Sequence, residues 1–329
     1  MELVYLDKEN RSKVEQWNDF VSKSPQGSIF SRSWYLDALV VDYNLLCVVN
    51  NYDEILAGII LAKNQIKTYS NPLLAKYLGV LFKNEDKLTQ KKVSKQYKTL
   101  ELLSKELKKF KSFDYYFHPE FNNWIPFYWS KFTQQTRYTY QINLKYSFEE
   151  IEKRFHGNLK NDIKNALKMG VNIKRDIESL SFFEVINKTF KRQGSKSPFN
   201  RNKLMNFIEL LSKKEHFVSF GAYNTVGELI SVCGIVSDEK STYFILNGID
   251  IEKQVRGANA LMIMEAIKFS KNRSLQIFDF EGSMLPGVEQ FYRRFGGDLV
   301  PYYRIWNDNF FNYSKTVAKN IYKKIRYGR

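Results

Sequence analysis

The sequence predicts a mixed α/β protein of the α+β type, and three observations carry that expectation. Strand-like runs alternate with amphipathic helical stretches along the whole chain, so neither an all-helical nor an all-strand fold fits. Late in the chain three strand-like segments follow one another and lead through a loop and a long apolar helix to one further strand. That order describes an antiparallel meander with one strand reached by a crossover helix. The length of 329 residues suits two domains or one large one, and 43% apolar with 16% aromatic residues supplies a core.

The elements follow in order. "SIFSRSWYLDALV" reads as a helix entered through Ser31 or Ser33, with Trp34, Leu36, Leu39 and Val40 inward. "NLLCVVNNYDEILAGIILAKNQ" reads as a hairpin turning over Asn50 to Glu54. "KLTQKKVSKQYKTLELLSKELKKF" is an amphipathic helix with a basic outer face, "DYYFHPE" a short strand, and "TRYTYQINL" alternates as a strand does. A second unit begins near Ser147, which with Glu150 fits a capping box opening "SFEEIEKRF". "GNLKNDIKNALKMG" is a helix closed by Gly170 at C′, with Leu159, Ile163, Ala166 and Leu167 as its buried stripe. "VNIKRDI" is a strand, and "SLSFFEVINKTFKRQG" and "RNKLMNFIELLSKK" are helices. The three strands are "HFVSFGAYN", "ELISVCGIVSD" and "STYFILNGID"; then come the helix "ANALMIMEAIKFSKNR", the strand "LQIFDF" and a final motif, "DFEGSMLPGVEQFYRRFGG". The expected division is 1–146, 147–313, and a tail over 314–329 with six basic and no acidic residues.

Charge narrows the partners. Lys and Arg number 51 against 35 Asp and Glu, a net of +16, which suits a polyanionic partner or simple solubility. Cys47 and Cys233 sit in apolar strand-like runs and read as buried thiols; no disulfide framework or C-x-x-C pair appears. The charged start "MELVYLDKEN" has no apolar signal region, and no apolar run reaches about 18 residues, so a cytoplasmic protein without a membrane span is expected. The three histidines, His118, His156 and His216, are scattered, so no metal site is expected. Neither a P-loop nor a G-x-S-x-G elbow is present, which argues against NTPases and serine hydrolases of those types.

Three stretches can carry chemistry. The loop "EKQVRGANAL" leaves a strand and enters a helix. Small residues Gly257, Ala258 and Ala260 permit close backbone approach, and Lys253 and Arg256 add charge at a helix start suited to phosphate; an ordinary turn reads the same way. Along 157–169, Lys160, Lys164 and Lys168 recur every four residues, either as a solvated face or as a rim for an anionic substrate. In "LQIFDFEG" strand alternation puts Asp279 and Glu281 on one face, where a carboxylate can serve as general base. Ser283 is placed to touch substrate, Tyr292 to donate a proton, and Arg293 and Arg294 to bind phosphate; the plainer reading is a strand end followed by a capped surface helix.

These stretches occur in an order that resembles the FemAB-like branch of the GNAT acyltransferase superfamily, most clearly over 138–304. "YTYQINLKYSFEEIEKRFHGNLKNDIKNALKMGVNI" is similar to that branch's strand, acidic helix and "R-N-x-I-x-x-A-x-x-x-G-V" block; "SIFSRSWYLDAL" is similar to its "F-x-S-x-x-W-L"; the final motif is similar to "Y-D-F-x-G … F-K-x-x-F-G-G". The resemblance implies two GNAT-like subdomains, each a mixed, mostly antiparallel sheet flanked by helices. It implies an amine attacking an activated acyl group, with Glu281 or Asp279 as base and Tyr292 as acid. Gln254, Arg256, Gly257, Ala258 and Asn259 would line the donor loop, and Lys160, Lys164, Ser283, Arg293 and Arg294 the acceptor side. Two positions depart from the family pattern. Asn259 replaces the last small residue of the acyl-CoA loop, and Tyr292 replaces the lysine of the peptidoglycan-bridge members.

The expected function is a bacterial N-acyltransferase. It would move an acyl or aminoacyl group from acyl-CoA or aminoacyl-tRNA to an amine on a cell-envelope sugar, sugar nucleotide or peptide. The alternative is a non-catalytic protein on the same scaffold that binds tRNA or an anionic membrane or glycan surface. The basic tail would supply peripheral contact at the inner membrane face.

Overall fold

The computed structural model of the chain describes residues 1–65, 68–85, 89–192 and 194–307. The expected basic tail lies outside the described residues. The chain forms two compact units, one from 1–37, 41–136 and 302–307, the other from 38–40 and 137–301. The division therefore falls before 147, inside a strand, and the last described strand returns to unit 1.

In chain order the elements are β1 (Glu2–Leu6), α1 (Arg11–Lys23), α2 (Ser33–Ala38), β2 (Tyr43–Val49), β3 (Ile55–Gln65), β4 (Thr68–Ser70), β5 (Leu81–Phe82), α3 (Gln90–Lys108), β6 (Ser112–Tyr116), α4 (Ile125–Trp129) and β7 (Phe132–Asn143). They continue as α5 (Phe148–Lys153), α6 (Gly157–Lys168), β8 (Asn172–Arg175), α7 (Ser179–Arg192), α8 (Arg201–Ser212), β9 (Phe217–Tyr223), β10 (Leu229–Ser237), β11 (Ser241–Ile249), α9 (Ala258–Asn272), β12 (Ile277–Asp279), α10 (Pro286–Arg293) and β13 (Asp298–Asn307).

In unit 1 the strands run β1-β2-β3-β4-β6-β13, with β5 beside β3. Only the β4–β6 pair is parallel among the registered pairs of this unit. The β2–β3 hairpin turns as expected: Asn50 Oδ1 accepts from the N–H groups of Tyr52 and Glu54 at 2.8 and 3.1 Å. The core is aromatic, with Trp17, Tyr35, Tyr77, Phe113, Tyr115 and Phe117 fully buried. The polar tips of Trp17, Tyr35 and Tyr115 are satisfied, which is what lets such rings be interior. Trp17 Nε1 donates to Ser31 O at 2.9 Å, Tyr35 OH to Leu74 O at 2.6 Å, and Tyr115 OH accepts from Ala62 N–H at 2.6 Å. One expectation fails at α2. Val40, expected inward, is 64% exposed with φ 56°, because the helix stops at Ala38 and the chain turns out; Tyr35 fills the interior instead.

Unit 2 runs β7-β12-β11-β10-β9-β8. The β9–β10–β11 meander is antiparallel and β12 joins β11 in parallel through the crossover helix α9, as the sequence predicts. The Ser147–Glu150 capping box is present, and Gly170 closes α6 at φ 68°. α9 is buried over most of its surface, through Leu261, Met262, Ile263, Ala266 and Ile267 among others. Leu159, Ile163 and Ala166 of α6 belong to the same core, but Leu167 is 57% exposed. The buried stripe of α6 is thus narrower than expected.

Candidate active-site cleft

A cleft of about 800 Å³ opens in unit 2 where α6, α7, β11, α9 and α10 meet. The local backbone explains why it is there. α9 starts at Gly257 (φ 88°), and a Cβ at that position would lie 1.8 Å from Asp162 O. The glycine thus lets α6 pack directly on the first turn of α9. α6 is also pinned to the end of α10: His156 N–H donates to Arg294 O at 2.8 Å, and a Cβ on Gly296 (φ 68°) would lie 2.3 Å from Arg154 O. The Gly-Gly end of the final motif is therefore a packing requirement. α10 is held from its other side by Tyr140, whose hydroxyl donates to Glu289 Oε1 at 2.6 Å. Burial, with Glu289 beside it, pushes the Tyr140 phenol up to about 12.

The walls carry a defined charge pattern. Gln254, Arg256, Gly257, Asn259 and Ala260 line one side, Tyr292 and Arg294 another, and Thr189, Arg192 and Asn247 a third. Asp162 is the single acidic lining residue among the described residues. It accepts from Arg256 Nε at 2.8 Å and pairs with Arg294. Burial pushes its carboxyl up, but hydrogen bonds and charge from Arg294 and Arg256 outweigh this, so the net shift is downward. Arg256 is further fixed by Asn165 Nδ2, which donates to its carbonyl at 3.0 Å. A second cleft of about 730 Å³ shares Asp162, Arg256, Gly287, Phe291 and Arg294, and adds His156, Asn158 and Arg293.

The first turn of α9 faces this space. The Ala258 N–H donates to Val255 O at 3.1 Å, and no side chain caps the helix, so the N–H groups of Asn259 and Ala260 are left without a side-chain acceptor. Asn259 is 8% exposed, and its Oδ1, like that of Asn247, is buried without a hydrogen-bond partner. A buried amide oxygen left unpaired costs stability and marks a place where a ligand donor or water fits. The β10–β11 register shifts between Gly234 and Ile235, which leaves Ile245 as an extra residue on β11, two residues before Asn247. A bulge of this kind turns backbone groups out of the ladder.

Tyr292 sits half-buried on the cleft wall. Its ring stacks on Phe280 at 4.9 Å and meets Phe244 edge-on at 5.9 Å. Burial, then the charge of Glu281, push its phenol far above the ordinary value, so it stays protonated. Glu281 has φ 55°, since β12 ends at Asp279 and the chain turns before it. The expected shared face of Asp279 and Glu281 is therefore not formed. Asp279 is 1% exposed and its carboxylate accepts from Thr139 Oγ1 at 2.6 Å, Gln141 Nε2 at 2.9 Å and Glu281 N–H at 2.6 Å. It braces the turn into the final motif and does not line the cleft.

Of the other expected site residues, Ala258 is buried in the core of unit 2 and does not line the clefts. Ser283 accepts from Leu285 N–H at 3.1 Å, which shapes the turn into α10. Arg293 pairs with Glu289 at 3.4 Å and borders the second cleft. Lys160 donates to Lys153 O at 3.0 Å and Lys164 is exposed; neither lines the clefts. The face of α6 that does is Asn158 and Asp162, one turn apart. Sequence reasoning missed Asp162, Thr189, Arg192 and Asn247. Only Asn247 left a signal, a polar residue inside the apolar run "YFILNGI". Among the described residues no group of His, Cys, Asp and Glu is arranged to hold a metal ion, and no helix is long and apolar enough to cross a membrane.

The sequence matches no family model and no curated protein. Solved structures do match. The crystal structure of FemX superposes with TM-score 0.67 over 92% of this chain and 97% of that one, at 12% identity. The C-terminal domain of a lysylphosphatidylglycerol synthetase from Agrobacterium fabrum gives 0.59, covering 90% and 92% at 10% identity. A tandem GNAT protein from the clavulanic acid biosynthesis pathway gives 0.54, covering 93% and 97% at 9% identity. With its mixed, mostly antiparallel sheets and its strand-loop-helix at 241–272, the chain has a FemAB-like, GNAT-related fold.

Proposed function

We propose that unit 2 is an N-acyltransferase. It would move an acyl or aminoacyl group from acyl-CoA or aminoacyl-tRNA to an amine on a cell-envelope sugar, sugar nucleotide or peptide. One observation carries the reading. Folding brings Gln254, Arg256, Gly257 and Asn259 onto the same cleft as Tyr292 and Arg294, with an uncapped helix start and a buried unpaired amide oxygen between them. Such a site fits an anionic donor: three arginines line the first cleft and its single carboxylate is already paired. Asn259, in place of the usual small residue, would offer its amide to a donor group rather than open space.

The acceptor nitrogen attacks the acyl carbonyl and forms the new C–N bond as the C–S bond of a thioester, or the C–O bond of an aminoacyl ester, breaks. Glu281 lines neither cleft but acts electrostatically on Tyr292, and from there it would take the proton released by the amine through water. Backbone N–H groups beside the β11 bulge would receive the oxyanion. Tyr292, kept protonated by burial and by Glu281, gives its proton to the leaving sulfur or oxygen. The structural likenesses support this scaffold for transfer chemistry; they leave donor and acceptor as proposals.

The test is transfer from labelled acetyl-CoA and from charged tRNA, assayed across a panel of amino sugars, sugar nucleotides and peptides, with Glu281→Gln and Tyr292→Phe alongside. Turnover in the parent that both substitutions reduce supports the reading. No turnover and no binding of either donor would refute it.

A further inference from the structure

Unit 1 carries a surface that the transfer chemistry does not use. α4 buries Pro126 and Phe127 but leaves Ile125, Tyr128 and Trp129 exposed at 41%, 61% and 52%. These side chains extend over neighbouring rings: Trp124 meets Tyr128 edge-on at 5.6 Å, and Tyr97 of α3 lies 5.8 Å from Trp129. α3 and α4 form one continuous face, tied by Ser104 Oγ to Ser130 Oγ at 2.8 Å and by Lys108 Nζ donating to Lys131 O at 2.6 Å. α3 has six lysines, two glutamates and no arginine. Lys91, Lys95, Lys98 and Lys105 are exposed, as are Lys109 and Lys131 beyond the helix. Among the described residues Lys98 has no ion-pair partner, and Lys105 reaches Glu101 only at 3.9 Å.

We propose that this α3–α4 face docks on an anionic lipid surface. Tryptophan and tyrosine flanked by lysine is the composition that rests at the water–lipid boundary: the rings sink among the headgroups while the ammonium groups stay with lipid phosphates. Ile125, and Leu102 at 36% exposure, add apolar area that cannot stack on a base or bind a phosphate. That weighs against a nucleic acid, as does the lack of arginine on α3. A second copy of the chain is disfavoured by charge, because a two-fold contact would set these lysines against their equivalents.

The experiment is co-sedimentation of the full chain with vesicles of phosphatidylglycerol mixed with phosphatidylcholine, and of phosphatidylcholine alone. Binding to the mixed vesicles, weakened by salt and absent from phosphatidylcholine, is expected. Lys98→Gln and Lys105→Gln should each lower affinity by about fivefold. The pair Tyr128→Ser with Trp129→Ser should lower it further while leaving the circular dichroism melt unchanged. In the parent, lipid with brominated chains should quench tryptophan emission, and Trp129→Phe should reduce that quenching. The basic residues beyond 314 stay intact in every variant, so binding through them would survive these changes. The proposal is overturned if the parent ignores the mixed vesicles, if all the surface variants bind as the parent does, or if the same substitutions abolish tRNA binding and leave vesicle binding untouched.

Discussion

Replacing Gly257 by alanine tests whether the donor loop is shaped by ligand or by packing. The residue sits at φ 88°, where an L side chain costs about 1–2 kcal/mol. The added Cβ would stand 1.8 Å from the Asp162 carbonyl oxygen, so backbone has to move and no flexible side chain can yield. Overpacking of this kind costs about 1–3 kcal/mol. The sum, roughly 2–5 kcal/mol, corresponds to about 2–4 °C of Tm for each kcal/mol in a unit of this size. The assay is thermal and urea unfolding of the full chain followed by circular dichroism. The control is Gly287→Ala, which lines the same cleft but has nothing within 4 Å of its Cβ position, and should stay within about 0.5 kcal/mol of the parent. Equal small effects at both glycines would refute the claim that α6 packs on α9 through Gly257. A binding defect in the control with unchanged stability is the expected signature of a glycine that faces ligand.

Further outcomes follow from the same geometry. Tyr292→Phe keeps the ring stacked on Phe280, so stability should change by less than about 1 kcal/mol, while the transfer rate falls by about 10²–10⁴ if the hydroxyl is the proton donor. Because the Tyr292 phenol is raised above its ordinary value of 10.0, its loss of a proton should not limit the parent's rate below about pH 10. Asp279→Asn should lower stability by about 1–3 kcal/mol through its three hydrogen bonds, as urea unfolding reads it. A rate loss with unchanged stability would instead return Asp279 to the chemistry.

How far the sequence could be read depended on the range of each interaction. The Ser147–Glu150 capping box, the Asn50 turn and the Gly170 helix stop are set within about four residues, and all three appear. The meander and crossover were legible because period-two alternation and one long apolar helix leave few topologies. The charged face of α6 was not. A four-residue lysine repeat shows that a stripe exists, but the neighbours that choose the inward stripe come from α9 and α10. The arginines that make Asp162 a site residue are 94 and 132 positions away. The Asp279–Glu281 reading failed for a local reason: alternation was carried two residues past the end of β12, through a backbone turn at positive φ that neither side chain announces.

Asp162 also separates the site's stability from its affinity. It is the single carboxylate lining either cleft among the described residues, and it partly neutralises Arg256 and Arg294. Asp162→Asn should therefore move two measurements in opposite directions. Stability should fall by about 1–3 kcal/mol, mostly through Arg294, since Arg256 is largely exposed and its pair is screened. Affinity for a polyanionic donor such as coenzyme A should rise, because two guanidinium groups are released toward the cleft. The pH dependence gives an independent check. The folded carboxyl is lowered from its ordinary 3.8, so its contribution is complete above that value and is lost as pH falls through the lower folded value. The stability gap between parent and Asp162→Asn should stay constant from pH 8 to about pH 5 and close in stronger acid. Weaker donor binding in the variant, together with lower stability, would mean that Asp162 orders the arginines for the ligand rather than competing with it, and would reverse the assignment of its role.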